Sequence, residues 1–157
     1  MKILVVTNSC SEKKYKSICK MRNKNIVDPQ QKFFRLFIDG LAMIDECSVE
    51  VISALPVSSS TIKKGFFKYQ NETISTGAVY HYLPFWNGKF LRYLFLAVYS
   101  KYYVKKWCKK HKGENVMVIV DPLVPVISMP SRKSAQKRGI KVAAIITDLP
   151  TLATDMK

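Results

Sequence analysis

Three apolar runs in this chain break into groups able to orient a ligand. Asn8-Ser9 follows Ile3 to Thr7, Asp121-Pro122 follows Val116 to Val120, and Thr147-Asp148 follows Val142 to Ile146. An apolar run that gives way to amide, hydroxyl and carboxylate groups reads as a buried parallel strand delivering them to its carboxyl end. That end is where ligands sit in open α/β sheets. The stretch Lys141 to Pro150 is the clearest case, because Lys137-Arg138-Gly139-Ile140 before it supplies a helix stop, with cations in the last turn and a glycine free to turn left-handed. Thr147 and Asp148 are the candidate catalytic pair, with Asp148 open to a second reading as the cap of a following helix. Asn8, Ser9, Asp121 and Pro122 are the candidate substrate-binding set.

Positioning such groups requires a scaffold of alternating strands and helices. Lys2 to Thr7, rich in branched residues, predicts a central strand covered on both faces. Asn8 to Asp28 reads as a polar, lysine-laden loop without glycine, so it lacks the turn by which a dinucleotide-binding fold brings backbone against a pyrophosphate. Asp28 and Pro29 predict the cap and first position of a helix whose Phe33, Leu36, Phe37, Leu41 and Ile44 recur at helical spacing and offer a face to the sheet. Val49 to Leu55, Ala78 to Leu83, Val116 to Val120 and the run from Lys141 predict the remaining strands. Helices are expected from about Gly88 to His111 and from Asp121-Pro122 to about Arg138, where Pro130 predicts a kink or a late start near Ser128. Right-handed crossovers then favour a Rossmann-like parallel sheet with helices on both faces and strand order 3-2-1-4-5. In that order the first and fourth strands meet at the switch point, Asn8-Ser9 faces Asp121-Pro122 across a crevice, and Asp148 lies one strand further along.

Composition narrows the partners. The 157 residues, 48% of them hydrophobic, suit one folded domain and leave no room for a second catalytic one. The 26 Lys and Arg against 11 Asp and Glu give a net charge of +15, a field that gathers nucleic acid, anionic lipid or sugar-nucleotide phosphates. Cys10, Cys19, Cys47 and Cys108 show no zinc-ligand spacing with each other or with the two histidines, so free thiols and no metal are expected. No export signal and no apolar run long enough to span a bilayer is visible, which predicts a cytoplasmic protein with at most peripheral membrane contact.

Two surfaces offer that contact or an alternative to it. Lys105, Lys106, Trp107, Lys109 and Lys110 end the longest helix, where cations complement the macrodipole and, with Tyr93, Tyr99, Tyr102 and Tyr103, also suit an anionic lipid surface. Lys63, Lys64 and Lys68 interleave with Phe66, Phe67 and Tyr69, either a solvated hairpin with docked aromatics or a stacking platform for single-stranded nucleic acid. A receiver-like phosphoacceptor at Asp121 is disfavoured, since Asn8-Ser9-Cys10 offers no acidic cluster for a divalent cation.

Taken in order, several segments resemble the amino-terminal, acceptor-side half of retaining GT-B glycosyltransferases of family 4. They are Ile3 to Thr7 with its long polar loop, Gln31 to Leu41 followed by Val49 to Ala54, Leu83-Pro84-Phe85-Trp86-Asn87, Val118 to Leu123, and Ile146 to Pro150. The resemblance implies a two-domain enzyme of envelope polysaccharide synthesis in which this half binds a glycan or lipid-linked acceptor at the inner membrane face. The other half binds a nucleotide-sugar and transfers its sugar with retention, without an essential metal. Thr147 and Asp148 would occupy the loop facing the reacting sugar, where many relatives carry His-Asp. The histidine is absent here, leaving Asp148 as an orienting carboxylate or helix cap. The resemblance further implies that residues 1–157 are an incomplete acceptor domain lacking its donor half, inactive alone and completed by a second polypeptide, with no cofactor of its own and no specific nucleic-acid partner. A basic nucleic-acid- or membrane-binding module without catalysis is the alternative.

Overall fold

Branched apolar residues at successive positions make strands that stay in register only when both faces are covered, and such strands form the centre of this molecule. The computed structural model describes residues 1–22, 28–60, 62–88 and 90–147. In chain order the elements are β1 (Lys2–Thr7), α1 (Glu12–Arg22), α2 (Pro29–Ala42), β2 (Ser48–Ser53), β3 (Phe66–Phe67) and β4 (Gln70–Thr73). They continue with β5 (Val79–Tyr82), β6 (Phe85–Trp86), α3 (Leu91–Lys110), β7 (Val116–Val120), α4 (Pro125–Gln136) and β8 (Lys141–Ala144). A six-stranded sheet has the order β4-β5-β2-β1-β7-β8, and β3 pairs with β6 in a separate two-stranded ribbon. β5, β2, β1, β7 and β8 are parallel, in the order the sequence predicts, and β4 adds an antiparallel edge. Helices cover both faces of this Rossmann-like α/β sheet: α2 packs on β2, while α4 packs on β1, β7 and β8 with α3 against it.

Four expectations are corrected. The segment after β1 is not all loop but contains α1. Ser11 Oγ accepts the Lys14 N–H at 3.1 Å as an N-cap, and Glu12 pairs with Lys16 one turn on at 2.6 Å. Only Ile18 of α1 is buried, so the helix carries almost no apolar periodicity to read. α2 is capped by Asp28 as expected, Oδ1 accepting the Gln31 N–H at 3.2 Å, but it is rotated from the expected face. Gln31, Phe34 and Ile38 are buried, Phe37 and Leu41 pack partly buried on the core as expected, and Phe33, Leu36 and Ile44 stand exposed. The rotation follows from Gln31, whose Nε2 donates to Asn8 O at 3.0 Å and whose Oε1 accepts the Cys10 N–H at 3.2 Å. A buried amide with those partners outweighs a modest gain in apolar contact.

Of the two accommodations expected for Pro130, a kink or a late start near Ser128, the late start is not taken: α4 begins at Pro125 with Pro130 inside it. Val124 O accepts the N–H of Ile127 and Ser128 and the Ser128 hydroxyl, so the first turn is anchored before Pro130 interrupts the ladder. The stop at Gly139 holds: φ is 70°, Gly139 N–H donates to Gln136 and Ile140 N–H to Ala135, the paired bonds of a Schellman turn. β8, expected to be buried, is an edge strand with Lys141, Ala143 and Ala144 exposed. It pairs with β7 on one side, and among the described residues no strand pairs with the other. Periodicity identifies a strand but not whether anything lies beyond it.

Candidate functional site

Because β1 and β7 are parallel neighbours whose connections leave toward opposite sides, their carboxyl ends diverge into a switch-point crevice. Asp121 sits at its base, fully buried. Its Oδ2 accepts from Thr7 Oγ1 at 3.2 Å and Gln30 Nε2 at 3.0 Å, and its Oδ1 from the Leu123 N–H at 3.0 Å. Burial pushes the Asp121 carboxyl above the usual aspartate range, and the Leu123, Thr7 and Gln30 bonds pull it partly back. Ser9 is equally buried, its N–H donating to Thr7 Oγ1 at 3.2 Å and its hydroxyl to Gln31 O at 3.1 Å. Half-buried Asn8 accepts from Gln31 Nε2 through both its backbone and side-chain oxygens. Pro122 is exposed at the rim.

The structure therefore brings Asn8, Ser9 and Asp121 together through residues that the sequence did not single out: Thr7, Gln30 and Gln31. The available signal was the pair Gln30-Gln31 just inside a Pro-opened helix, where first-turn side chains project beyond the helix end toward the sheet edge. Thr147 is half-buried past β8, one strand from the crevice, and Asp148 lies outside the described residues. The crevice carboxylate is held by three donors, so Asp121 fixes the β1 and β7 ends relative to each other.

Beside the crevice, α1 walls off a groove of 1060 Å³ against α2, β4 and the turn before β5. Ser11 begins this wall: its hydroxyl donates to Glu72 Oε2 at 2.7 Å, and its N–H to Tyr82 Oη at 3.2 Å. Tyr82 Oη in turn donates to Glu72 Oε2 at 2.9 Å. That network ties the amino end of α1 to the sheet edge. Cys10, buried behind it, has its thiol pushed up to about 12 chiefly by burial, which keeps it protonated and unreactive. All four cysteines are free thiols, and among the described residues no group of His, Cys, Asp and Glu could hold a metal ion.

On the opposite face both histidines converge on Glu50. His81 Nε2 is 3.0 Å from Oε2, His111 Nε2 is 3.4 Å from Oε1, and the Lys110 ammonium is 3.5 Å from Oε1. The His81 hydrogen bond holds the Glu50 carboxyl down to about 2, against the opposing effect of burial. Tyr69 and Tyr103 stack beside His81, closing the cluster against α3.

Of the residues expected on a membrane, Lys105, Lys106, Lys109 and Lys110 are exposed, with Lys110 engaged by Glu50. Trp107 is not: it is 6% exposed, turned inward with its ring 4.9 Å from His111, because it lies on the α3 stripe with Val104 and Cys108 that packs on the body. The outer face of α3 instead presents Phe90 just before it and Leu94, Val98 and Tyr102 along it, Phe90 being 80% exposed. No helix among the described residues is long and apolar enough to cross a membrane. The aromatic rings near Lys64 contact other rings of the chain: Phe67 stacks on Phe85 at 4.9 Å and Tyr69 on Tyr103 at 5.3 Å, while Phe66 lies tilted against Trp86 at 5.9 Å. Phe67 docks on the body, while Phe66, Tyr69 and Trp86 remain 37%, 38% and 49% exposed.

No protein-family model, curated protein or solved structure matches this chain.

Proposed function

We propose that this chain is the acceptor-binding domain of a retaining sugar transferase, acting with a donor domain that supplies the nucleotide-sugar. The observation that carries the reading is the switch-point crevice, where Asn8, Ser9 and Asp121 gather at the carboxyl ends of β1 and β7. In this reading the rim formed by half-buried Asn8 and exposed Pro122 contacts the acceptor, and the buried Asp121 bonds keep that rim rigid. An acceptor hydroxyl held at fixed distance and angle to the anomeric carbon reacts faster because its positioning entropy is lost on binding rather than at the barrier. Thr147, just past β8, helps orient that hydroxyl, Asp148 takes the part the family resemblance gives it, and the donor domain neutralises the departing nucleotide.

The outer face of α3 supports a lipid-linked acceptor reached from the inner membrane face. Phe90, Leu94 and Val98 are suited to enter the headgroup boundary, and Lys101, Lys105 and Lys109 follow on the same side.

The test is a titration of the isotopically labelled chain with a lipid-linked saccharide in micelles, followed by backbone amide resonances. The expected result is saturable shifts at Asn8, Ser9 and Leu123, with no sugar transfer by this chain alone on adding a nucleotide-sugar. Shifts confined to α3, or transfer by the isolated chain, would overturn the reading.

A further inference from the structure

The groove between α1, α2 and β4 is lined by two side chains with polar groups that no other described residue satisfies. Tyr80 is fully buried in its lining, yet among the described residues its hydroxyl has no hydrogen-bond partner. Arg35 lies in the same lining, its guanidinium 5.1 Å from the centroid of the Tyr15 ring, with a buried Nη1 that likewise has no partner. Buried donors are nearly always paired, because burial without a partner costs the full desolvation of the group. Two unpaired donors in the wall of one groove point to an acceptor that arrives from outside.

The charges around them state its sign. Five cationic side chains and three carboxylates line the groove. Each carboxylate already has a partner: Glu12 holds Lys16, Asp39 accepts from Thr76 at 3.4 Å, and Glu72 accepts from Ser11 and Tyr82. Among the described residues no carboxylate pairs with Arg35, Lys20 or Lys32. Hydroxyl donors do not cancel the charge of Asp39 or Glu72, and Asp39 lies close enough to act on the Tyr80 hydroxyl, but five cations against three carboxylates still leave the lining net positive. Burial also pushes the Tyr80 hydroxyl up, so it stays protonated and can donate.

We propose that this groove is an oxyanion site in which Tyr80 Oη and the Arg35 guanidinium bind a phosphoryl or carboxylate group of a ligand, with Lys20 and Lys32 at the entrance. A phenol and a guanidinium fork that both bind one anion would give charge-assisted hydrogen bonds, stronger and more directional than lysine contacts alone. The groove is large enough to take a charged sugar or a sugar phosphate along with the anion. The inference stands apart from the sugar-transfer reading, since an inorganic anion carries no sugar. If both hold, the acceptor is itself anionic.

The test uses the full chain at constant ionic strength, titrated with inorganic phosphate and, separately, with galacturonate. Wild type, Tyr80→Phe and Arg35→Lys are compared by calorimetry and thermal melting. Saturable binding is expected for wild type, weakened about tenfold by Tyr80→Phe, as loss of one hydrogen bond to a charged group implies. Without anion, Tyr80→Phe should melt no lower than wild type, because it deletes a hydroxyl that has no partner. With anion, wild type should melt higher and the variant gain less. Preference between phosphate and galacturonate tells which group the ligand carries. Equal affinity in wild type and Tyr80→Phe, absence of saturable binding to either anion at millimolar concentration, or a lower anion-free melting temperature for Tyr80→Phe would each overturn the proposal. Arg35→Lys keeps the charge but not the fork, so undiminished affinity there would show lysine-like attraction rather than a built site, and would also count against it.

Discussion

At the scale of single residues, Gln31 and Glu50 each hold together parts of the chain that are distant in sequence. Gln31 is a buried amide whose two ends bind the backbone of Asn8 and Cys10. Gln31→Met keeps the volume but strands the Cys10 N–H in a dry interior, so a loss of about 2–3 kcal/mol is expected. Urea denaturation would measure it as a lower midpoint with unchanged slope. Glu50 makes a statement about pH. Its folded carboxyl is held at about 2, against an ordinary 4.5, chiefly by the His81 hydrogen bond. A depressed carboxylate contributes stability that is fully present above the unfolded value and is lost as pH falls from about 4.5 toward 2. Glu50→Gln should flatten the acid limb of stability across that window, and melting temperatures measured at stepped pH would reveal an unflattened limb if the cluster contributes nothing. Neither role was legible beforehand. Gln31 sits in a helix read for its apolar face, and Glu50, His81 and His111 share no sequence spacing, meeting only because β2 and β5 are neighbours under the end of α3.

At the scale of elements, the cap at Asp28, the turn at Gly139 and the span of β1 were plain from sequence, because each rests on local chemistry that few residue types supply. What escaped was orientation and context. α1 is polar on nearly every side, so it had no period to betray it, and of the α2 stripe taken as its inner face Phe37 and Leu41 pack on the core while Phe33 and Leu36 face out. α3 gives the element its own experiment. Its exposed side passes from Phe90, Leu94 and Val98 to Lys101, Lys105 and Lys109. At about 1 kcal/mol per lysine near an anionic surface, the triple change of Lys101, Lys105 and Lys109 to Gln should weaken partition onto phosphatidylserine-containing vesicles roughly 100-fold. Vesicle flotation reads this directly, and equal recovery of the two proteins would remove the electrostatic contribution.

At the scale of the molecule, the order of the parallel strands was the most legible feature, because crossover handedness leaves few arrangements once strand and helix alternate. The antiparallel β4 was hidden in a stretch whose Gln70-Asn71-Glu72-Thr73 favours no strand by composition. The two ends of the sheet are consequently unlike. At one, polar β4 closes the row with side chains that discourage further pairing; at the other, β8 shows small apolar side chains, with Lys141 as its single charge. Growth by strand addition should therefore be one-sided, producing pairs of molecules joined back to back through β8 rather than open chains. Light scattering across a concentration series should show such dimers in wild type, and Ala144→Lys, placing a second charge on the edge that no described strand pairs, should return the protein to monomer.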